Sequence, residues 1–269
     1  MFKKCYYLFF IYKFLFYAII VNENNVVKEG FAVTVVENKL QTLISAYNTL
    51  VKGIDIEASI SNDRAYGGII RAGKGELVES MVAHLIQIAW CDVLGQRASR
   101  LEINKKKMPI KVKDNYIDRI KEPAVREYVR ANKNSLIYKF GTDVQVFIDN
   151  KLVIPIECKA YSENAMLKRI LFDAVLMKEV AGTDVYYLVQ LESQLGGDYS
   201  ALNDITYGSP ATHALLSHVD VELKIITLLQ GERKVDKPIH KKEYFKELRM
   251  SELQKALDVF TEALRPYVK

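Results

Sequence analysis

Residues 141–159 read Gly141-Thr142-Asp143-Val144-Gln145-Val146-Phe147-Ile148, then Asp149-Asn150-Lys151, then Leu152-Val153-Ile154-Pro155-Ile156-Glu157-Cys158-Lys159. Two apolar-alternating runs flank a turn-forming triplet, the pattern of a β-hairpin. Successive side chains on a strand point to opposite faces. Val144, Val146 and Ile148 therefore share one face with Leu152, Ile154, Ile156 and Cys158, and that face is apolar throughout. The opposite face carries Asp143, Glu157 and Lys159. A hairpin symmetric about Asn150 sets Asp143 directly opposite Glu157, with Cβ atoms ~4.5–5.5 Å apart. Pro155 cannot donate to a ladder, which predicts a local edge or bulge.

Two carboxylates held that close repel. At ~5 Å and an effective dielectric near 20 the penalty is about 3 kcal/mol, so the pair predicts a cation between them. Hard oxygen ligands without imidazoles suit Mg²⁺, which also favours substrate phosphates. The expected ligands are Asp143, Glu157 and the Ile156 or Cys158 carbonyl. Lys159 is placed to orient a water or to steady developing charge. The plainer reading makes all three residues ordinary charges on a solvated strand face. Three features weigh against it: the opposing aspartate, the apolar reverse face, and the helix that follows at once. A similar tetrapeptide, Gly182-Thr183-Asp184-Val185, has Gln194 rather than lysine two residues after its acid Glu192, and no hairpin turn lies between them. It reads as the opening of a buried strand.

On these residues the chain resembles the PD-(D/E)XK nuclease superfamily, and within it the type II restriction endonucleases. The resemblance runs from Gly75-Glu76-Leu77-Val78-Glu79 through Gly141-Thr142-Asp143 to Ile156-Glu157-Cys158-Lys159-Ala160-Tyr161. Thr142 stands where the motif has proline. The resemblance implies an α/β fold of the restriction-endonuclease-like kind, a central mixed β-sheet flanked by helices, in α-β-β-β-α-β order over residues 75–193. It implies Asp143, Glu157 and Lys159 as catalytic residues. Asp143, Glu157 and the Cys158 backbone carbonyl would ligate one or two Mg²⁺ ions, with Glu79 as a further metal ligand and Glu76 as its substitute. The implied activity is hydrolysis of duplex DNA at a specific sequence, by a homodimer matching a palindromic site. A cognate DNA methyltransferase would be its genetic partner. A repair or junction nuclease on the same core, and a non-cleaving DNA-binding protein, are the alternatives.

Around this centre, residues 36–53 read as an amphipathic helix through Leu40, Leu43, Ile44, Tyr47 and Leu50. Residues 59–74 read as a glycine-bearing basic loop with Arg64, Arg71 and Lys74. It lacks the Gly-Lys-Ser/Thr ending and the preceding strand of a phosphate loop. Glu76 to Gln96 and Glu163 to Val180 are predicted helices. Glu79, in the first turns of the earlier one, also fits a simple helix-dipole role.

Residues 97–139 hold thirteen Lys/Arg against five Asp/Glu, a local net of +8 beside +5 for the whole chain. Lys105, Lys106 and Lys107 head that basic zone, which fits a polyanionic partner, since lysines displace counterions condensed on DNA. Asn164, Lys168 and Arg169 open the helix after Lys159 and are candidate DNA contacts, as its N-terminus favours phosphate. A loop is expected over 192–208, with Gln194, Asn203 and Asp204 as base-reading candidates. A strand is predicted over 221–229 and a closing helix over 251–267. His84, His213 and His218 receive no role.

The chain has 269 residues, 49% hydrophobic and 26% charged, a globular composition. Its three cysteines, Cys5, Cys91 and Cys158, are too few and too scattered for a disulfide framework or a zinc site. A cytoplasmic setting is expected. Residues 1–22 form an apolar segment with Lys13 near its centre and no small-residue cleavage site. An anchor, a buried helix and translated upstream sequence all fit it; the last is preferred, and no membrane association is expected. The expected divisions are thus 1–22, then 23–74 with the helix and basic loop, then the nuclease domain, 75–269.

Overall fold

The computed structural model describes residues 29–58, 64–196 and 207–269. The N-terminal apolar segment, Asn203 and Asp204 lie outside them. The elements are α1 (Glu29–Ala58), α2 (Arg64–Gln87), β1 (Leu101–Asn104), β2 (Met108–Lys111), α3 (Asp114–Arg119), α4 (Pro123–Ala131), β3 (Ile137–Phe140), β4 (Val144–Ile148) and β5 (Lys151–Glu163). They continue with α5 (Asn164–Ala181), β6 (Val185–Gln194), α6 (Pro210–Leu216), β7 (Glu222–Thr227) and α7 (Met250–Leu264).

A five-stranded sheet runs β1-β4-β5-β6-β7, while β2 and β3 form a separate hairpin. The β1–β4 and β4–β5 pairs are antiparallel; β5–β6 and β6–β7 are parallel. The sheet is therefore mixed, as expected, and α5 supplies the crossover that a parallel β5–β6 pair requires. In chain order α2, β1, β4, β5, α5 and β6 reproduce the α-β-β-β-α-β series. The segment between β1 and β4 is an insertion carrying β2, α3, α4 and β3.

Helices cover both faces. Leu40, Leu43, Ile44, Tyr47 and Val51 of α1 recur at helical spacing and are buried, as are Leu77, Val78, Met81, Val82, Leu85 and Ile86 of α2. Together with Leu253, Ala256, Leu257, Phe260 and Leu264 of α7, they form one core with Val144, Val146, Ile154, Ile156 and Cys158. On the reverse side Leu167, Ile170, Leu171, Ala174 and Met177 of α5 pack with Tyr186, Leu188, Leu223 and Ile225. Each large aliphatic side chain buried this way contributes roughly 1.5–3 kcal/mol. Gly182 ends α5 at φ 67°, its N–H bonded to the Lys178 carbonyl, the left-handed cap that glycine adopts without a Cβ penalty.

Three expectations are corrected. Residues 64–74, expected as loop, are helical and part of α2, residues 59–63 lie outside the described residues, and the expected division at 74/75 falls inside a helix. The expected helix through Gln96 ends its regular turns at Gln87 and widens into a π-turn over Ile88–Val93. There Trp90 is fully buried and donates its indole N–H to the Arg97 carbonyl, 3.0 Å away. β6 runs on to Gln194, so the expected loop begins later.

The hairpin holds the fourth correction. Asp149 and Asn150 sit at φ 49° and 66°, and Ile148 pairs with Lys151. This is a two-residue turn with both central residues left-handed, a geometry that Asn and Asp tolerate. The turn is thus one residue tighter than symmetry about Asn150 requires. A bulge restores the register: Phe147 pairs with Leu152, whereas Val146 pairs with Ile154 and Val144 with Ile156. Val153 is the extra residue, and Leu152 turns with Phe147 to the α5 side. Pairing of β5 with β6 begins only at Ile156, so Pro155 sits beside the bulge and at a local edge.

The candidate active site

The bulge decides where the acids point. Continued without it, the Ile148–Lys151 register would set Asp143 against Ile156 and turn Glu157 to the far face, because a one-residue slip inverts every side chain. With it, the Val144–Ile156 pair leads on to Asp143 beside Glu157. Asp143 caps the start of β4: its Oδ2 accepts the Cys158 N–H at 2.9 Å and the Lys159 ammonium at 3.2 Å. Lys159 Nζ also donates to Glu157 Oε1, in a close ion pair, and lies 3.3 Å from the Cys158 carbonyl oxygen. Three oxygens, from Asp143, Glu157 and the Cys158 backbone, therefore surround a single point where one cationic nitrogen sits.

Burial raises the stakes of that arrangement. Glu157 is 6% exposed. Its carboxyl is pushed up by burial and further by Asp143, with Lys159 opposing. Burial acts to lower the Lys159 ammonium, but Glu157 and Asp143 outweigh it and hold it above the usual lysine range. The Cys158 thiol is buried in the opposite core, where burial, with Asp143 and Glu79 adding, raises it well above an ordinary thiol. Its side chain is inert while its carbonyl faces the site.

Gly141 shapes the approach. A Cβ there would stand 2.9 Å from the Lys106 carbonyl oxygen and 3.2 Å from Lys107 Cδ. Only glycine lets the loop of residues 105–107 pass this close to the strand that delivers Asp143. Lys105, Lys106 and Lys107 are all exposed. Lys105 pairs with Glu79 of α2, and both groups feel the site electrostatically: Asp143 acts on Lys105, and Glu79 acts on Cys158. Glu79 is thus coupled to the site through Lys105, which holds its carboxylate.

Lys168 and Arg169 are exposed on α5, and Arg169 lies 3.7 Å from Asp173. Asn164 has other work. Its Oδ1 accepts the Thr212 hydroxyl at 2.9 Å, and its Nδ2 faces Ser209 Oγ at 3.5 Å, tying the start of α5 to the start of α6. Gln194 carries a hydrogen bond from Arg233.

Two groups at the site are not visible from motif spacing. Burial raises the Asp173 carboxyl, Arg169 and Lys159 oppose, and Asp143 adds to the rise, so a further acid on α5 is coupled electrostatically to the pair. The signal was present: Asp173 lies three residues after buried Ile170 and four before buried Met177, on the inward arc of α5. Tyr186 of β6 is fully buried, and its hydroxyl has no hydrogen-bond partner among the described residues. Burial, then Glu157 and Asp173, push that phenol strongly upward.

The donor set fits a hard divalent cation. Two carboxylates and a peptide carbonyl converge, the local charge is negative apart from lysine, and no imidazole or thiolate takes part. Among the described residues no group of three or more His, Cys, Asp and Glu side chains is close enough to form a metal cluster by itself. A cation here would depend on the backbone oxygen and on substrate, as Mg²⁺ sites commonly do.

No protein-family model matches the chain. Over 232 residues it is 42% identical to Type II restriction enzyme DdeI of Desulfomicrobium norvegicum (strain DSM 1741 / NCIMB 8310), across 85% of this chain and 97% of that protein. The chain belongs to the type II restriction enzymes. Their relative DdeI is matched along nearly its whole length, so the kinship extends far beyond the short acid–acid–lysine motif. A much looser likeness links the chain to the native BbvCI A2B2 tetramer: 13% identity, TM-score 0.31, over 90% of this chain and 93% of that one. Among the described residues no helix is long and apolar enough to cross a membrane.

Proposed function

We propose that this restriction enzyme family member is a Mg²⁺-dependent endodeoxyribonuclease. It would hydrolyse phosphodiester bonds of duplex DNA at a short specific sequence, as a cytoplasmic homodimer. A DNA methyltransferase of the same specificity would be its genetic partner. The observation that carries the reading is the convergence of Asp143 Oδ2, Glu157 Oε1 and the Cys158 carbonyl on one point, each within hydrogen-bonding reach of Lys159 Nζ.

In this reading Asp143, Glu157 and the Cys158 carbonyl hold the ion; Glu79, paired with Lys105 and outside their cluster, would join them only after its side chain moves. Bound there, Mg²⁺ supplies polarisation of the scissile phosphate and a more acidic water. Lys159 has two positions to serve. Without metal it neutralises the carboxylates; with metal and DNA it turns toward the attacking water or the phosphate oxygens and steadies the charge that develops there. The Cys158 N–H fixes Asp143 in orientation throughout. Lys106 and Lys107, exposed and carried past Gly141, would meet the sugar–phosphate backbone, and Lys168 and Arg169, exposed on α5, would add positive charge.

The test is digestion of phage DNA and of synthetic branched duplexes, each with Mg²⁺ and with chelator. Discrete fragments from plain duplex with Mg²⁺ alone are expected. Cutting confined to branched or damaged DNA would overturn sequence-specific restriction in favour of repair.

A further inference from the structure

Two residues beyond Lys159 on β5, Tyr161 supports a guanidinium. Arg233 Cζ lies 3.6 Å from the centroid of the Tyr161 ring. Its Nη1 donates to Gln194 Oε1, and its backbone N–H donates to the Ser193 carbonyl at 2.8 Å. The segment carrying it is stitched to the end of β6, since Leu228 and Leu229 donate to the Gln190 and Leu191 carbonyls, each at 2.9 Å. The fork is therefore fixed in plane by an aromatic face and in rotation by an amide. Such preorganisation suits bidentate anion recognition.

Its charge is not balanced locally. Among the described residues no carboxylate lies within ion-pair distance of Arg233. The buried acid nearby, Glu192, is taken by Lys246, whose Nζ lies 3.0 Å from Glu192 Oε1, close enough for an ion pair though not aligned as a hydrogen bond. Lys74 adds a buried cation, 7% exposed and 3.5 Å from His240 Nδ1, to the partly buried Arg233 and Lys246. Burial brings the Lys74 ammonium down to about 8, with Glu192 opposing and Arg233 adding to the fall. Three cations thus gather about one carboxylate at the ends of β5 and β6.

Tyr161 lies ~6.6 Å past Lys159 along the strand, but plain alternation breaks between them: Ser162 donates to Gln190, the register partner of Lys159, so Tyr161 and Arg233 stand on the side of Glu192, the register partner of Tyr161, at the end of β5. We propose that Arg233, braced by Tyr161 and Gln194, grips a DNA backbone phosphate next to the one that is cut. This rests on the nuclease reading and deepens it. Arg233 is a positioning residue that fixes the strand over the three oxygens; it reads no base.

The experiment compares wild type, Arg233→Ala and Arg233→Lys on two short duplexes in Ca²⁺ across a salt series. One duplex carries the sequence that the wild type cuts, and the other a scrambled sequence. For Arg233→Ala we expect affinity to fall at least tenfold on both duplexes. The slope of log affinity against log salt should shrink by about 0.9, the value for one phosphate contact. Arg233→Lys should recover the slope but only part of the affinity, because a lysine is a point charge without the fork. An unchanged slope would overturn the proposal. So would a loss confined to one base pair, which marks base reading, or an unchanged affinity beside a lower unfolding midpoint. Wild type that neither binds nor cuts DNA would instead sink the nuclease reading itself.

Discussion

Replacing Lys159 by methionine removes the cation that, among the described residues, sits at the focus of Asp143, Glu157 and the Cys158 carbonyl, while keeping the volume. Its Nζ sits 3.2 Å from Asp143 Oδ2 and in a close pair with Glu157. Without it the carboxylates face each other. At ~5 Å and an effective dielectric near 20 their repulsion is about 3 kcal/mol. The protein can escape by protonating Glu157, but taking a carboxyl from an ordinary value near 4.5 to its neutral form at pH 7 costs about 3 kcal/mol as well. Both routes give the same figure. For a chain of this size that is a fall in unfolding midpoint of ~6–12 °C. The assay is thermal unfolding of wild type and Lys159→Met in chelator and in millimolar Mg²⁺, at pH 7.5 and pH 5. The variant should melt lower in chelator at pH 7.5 and recover with Mg²⁺. The gap should also narrow at pH 5, and DNA should stay uncut throughout. Equal midpoints in chelator, with no response to Mg²⁺, would refute the reasoning.

Other outcomes follow from the same groups. Because the folded Glu157 carboxyl is raised, its contribution to stability is complete below the ordinary glutamate value and is lost as pH rises through the folded one. Glu157→Gln should therefore be more stable than metal-free wild type at pH 7.5, the difference vanishing in acid melts, and should be inactive. Lys74 titrates in the opposite sense. The unfolded chain binds more protons than the folded one between about 8 and 10.5, so this group adds stability as pH rises through that window, roughly 3 kcal/mol in all. Lys74→Met should flatten the alkaline rise seen in chemical denaturation. Replacing Lys105, Lys106 and Lys107 together by alanine should cut the salt slope of DNA binding by ~2–3, at about 0.9 per phosphate contact, in fluorescence anisotropy titrations.

Much of the core was legible because period-two and period-3.6 patterns report burial directly. The apolar face of Val144, Val146, Ile154, Ile156 and Cys158 was readable, as was the helix after Lys159. The placement of Asp143 beside Glu157 was also reached, but for an incomplete reason. Symmetry about Asn150 stood in for a tighter turn plus a bulge at Val153, two departures that cancel in register. Their visible trace is Leu152, which the plain alternation puts on the wrong face. Residues 64–74 read as a loop from their glycines, whereas packing along α2 outweighs the ~1 kcal/mol that each glycine costs a helix. Asn164 looked free because its partners, Ser209 and Thr212, are more than forty residues away in sequence. The same holds for Arg233, whose support on Tyr161 and Gln194 exists only once β5 and β6 lie side by side.

The central claim is that Glu157 and Asp143 act as a pair around one divalent ion. Mg²⁺-dependent cleavage of a plasmid by wild type, Asp143→Ala and Glu157→Ala, each shown folded by its unfolding transition, tests it most directly. Discrete fragments from wild type, and intact plasmid from both variants at any Mg²⁺ concentration, are the predicted result. Wild-type rates from Glu157→Ala would contradict it.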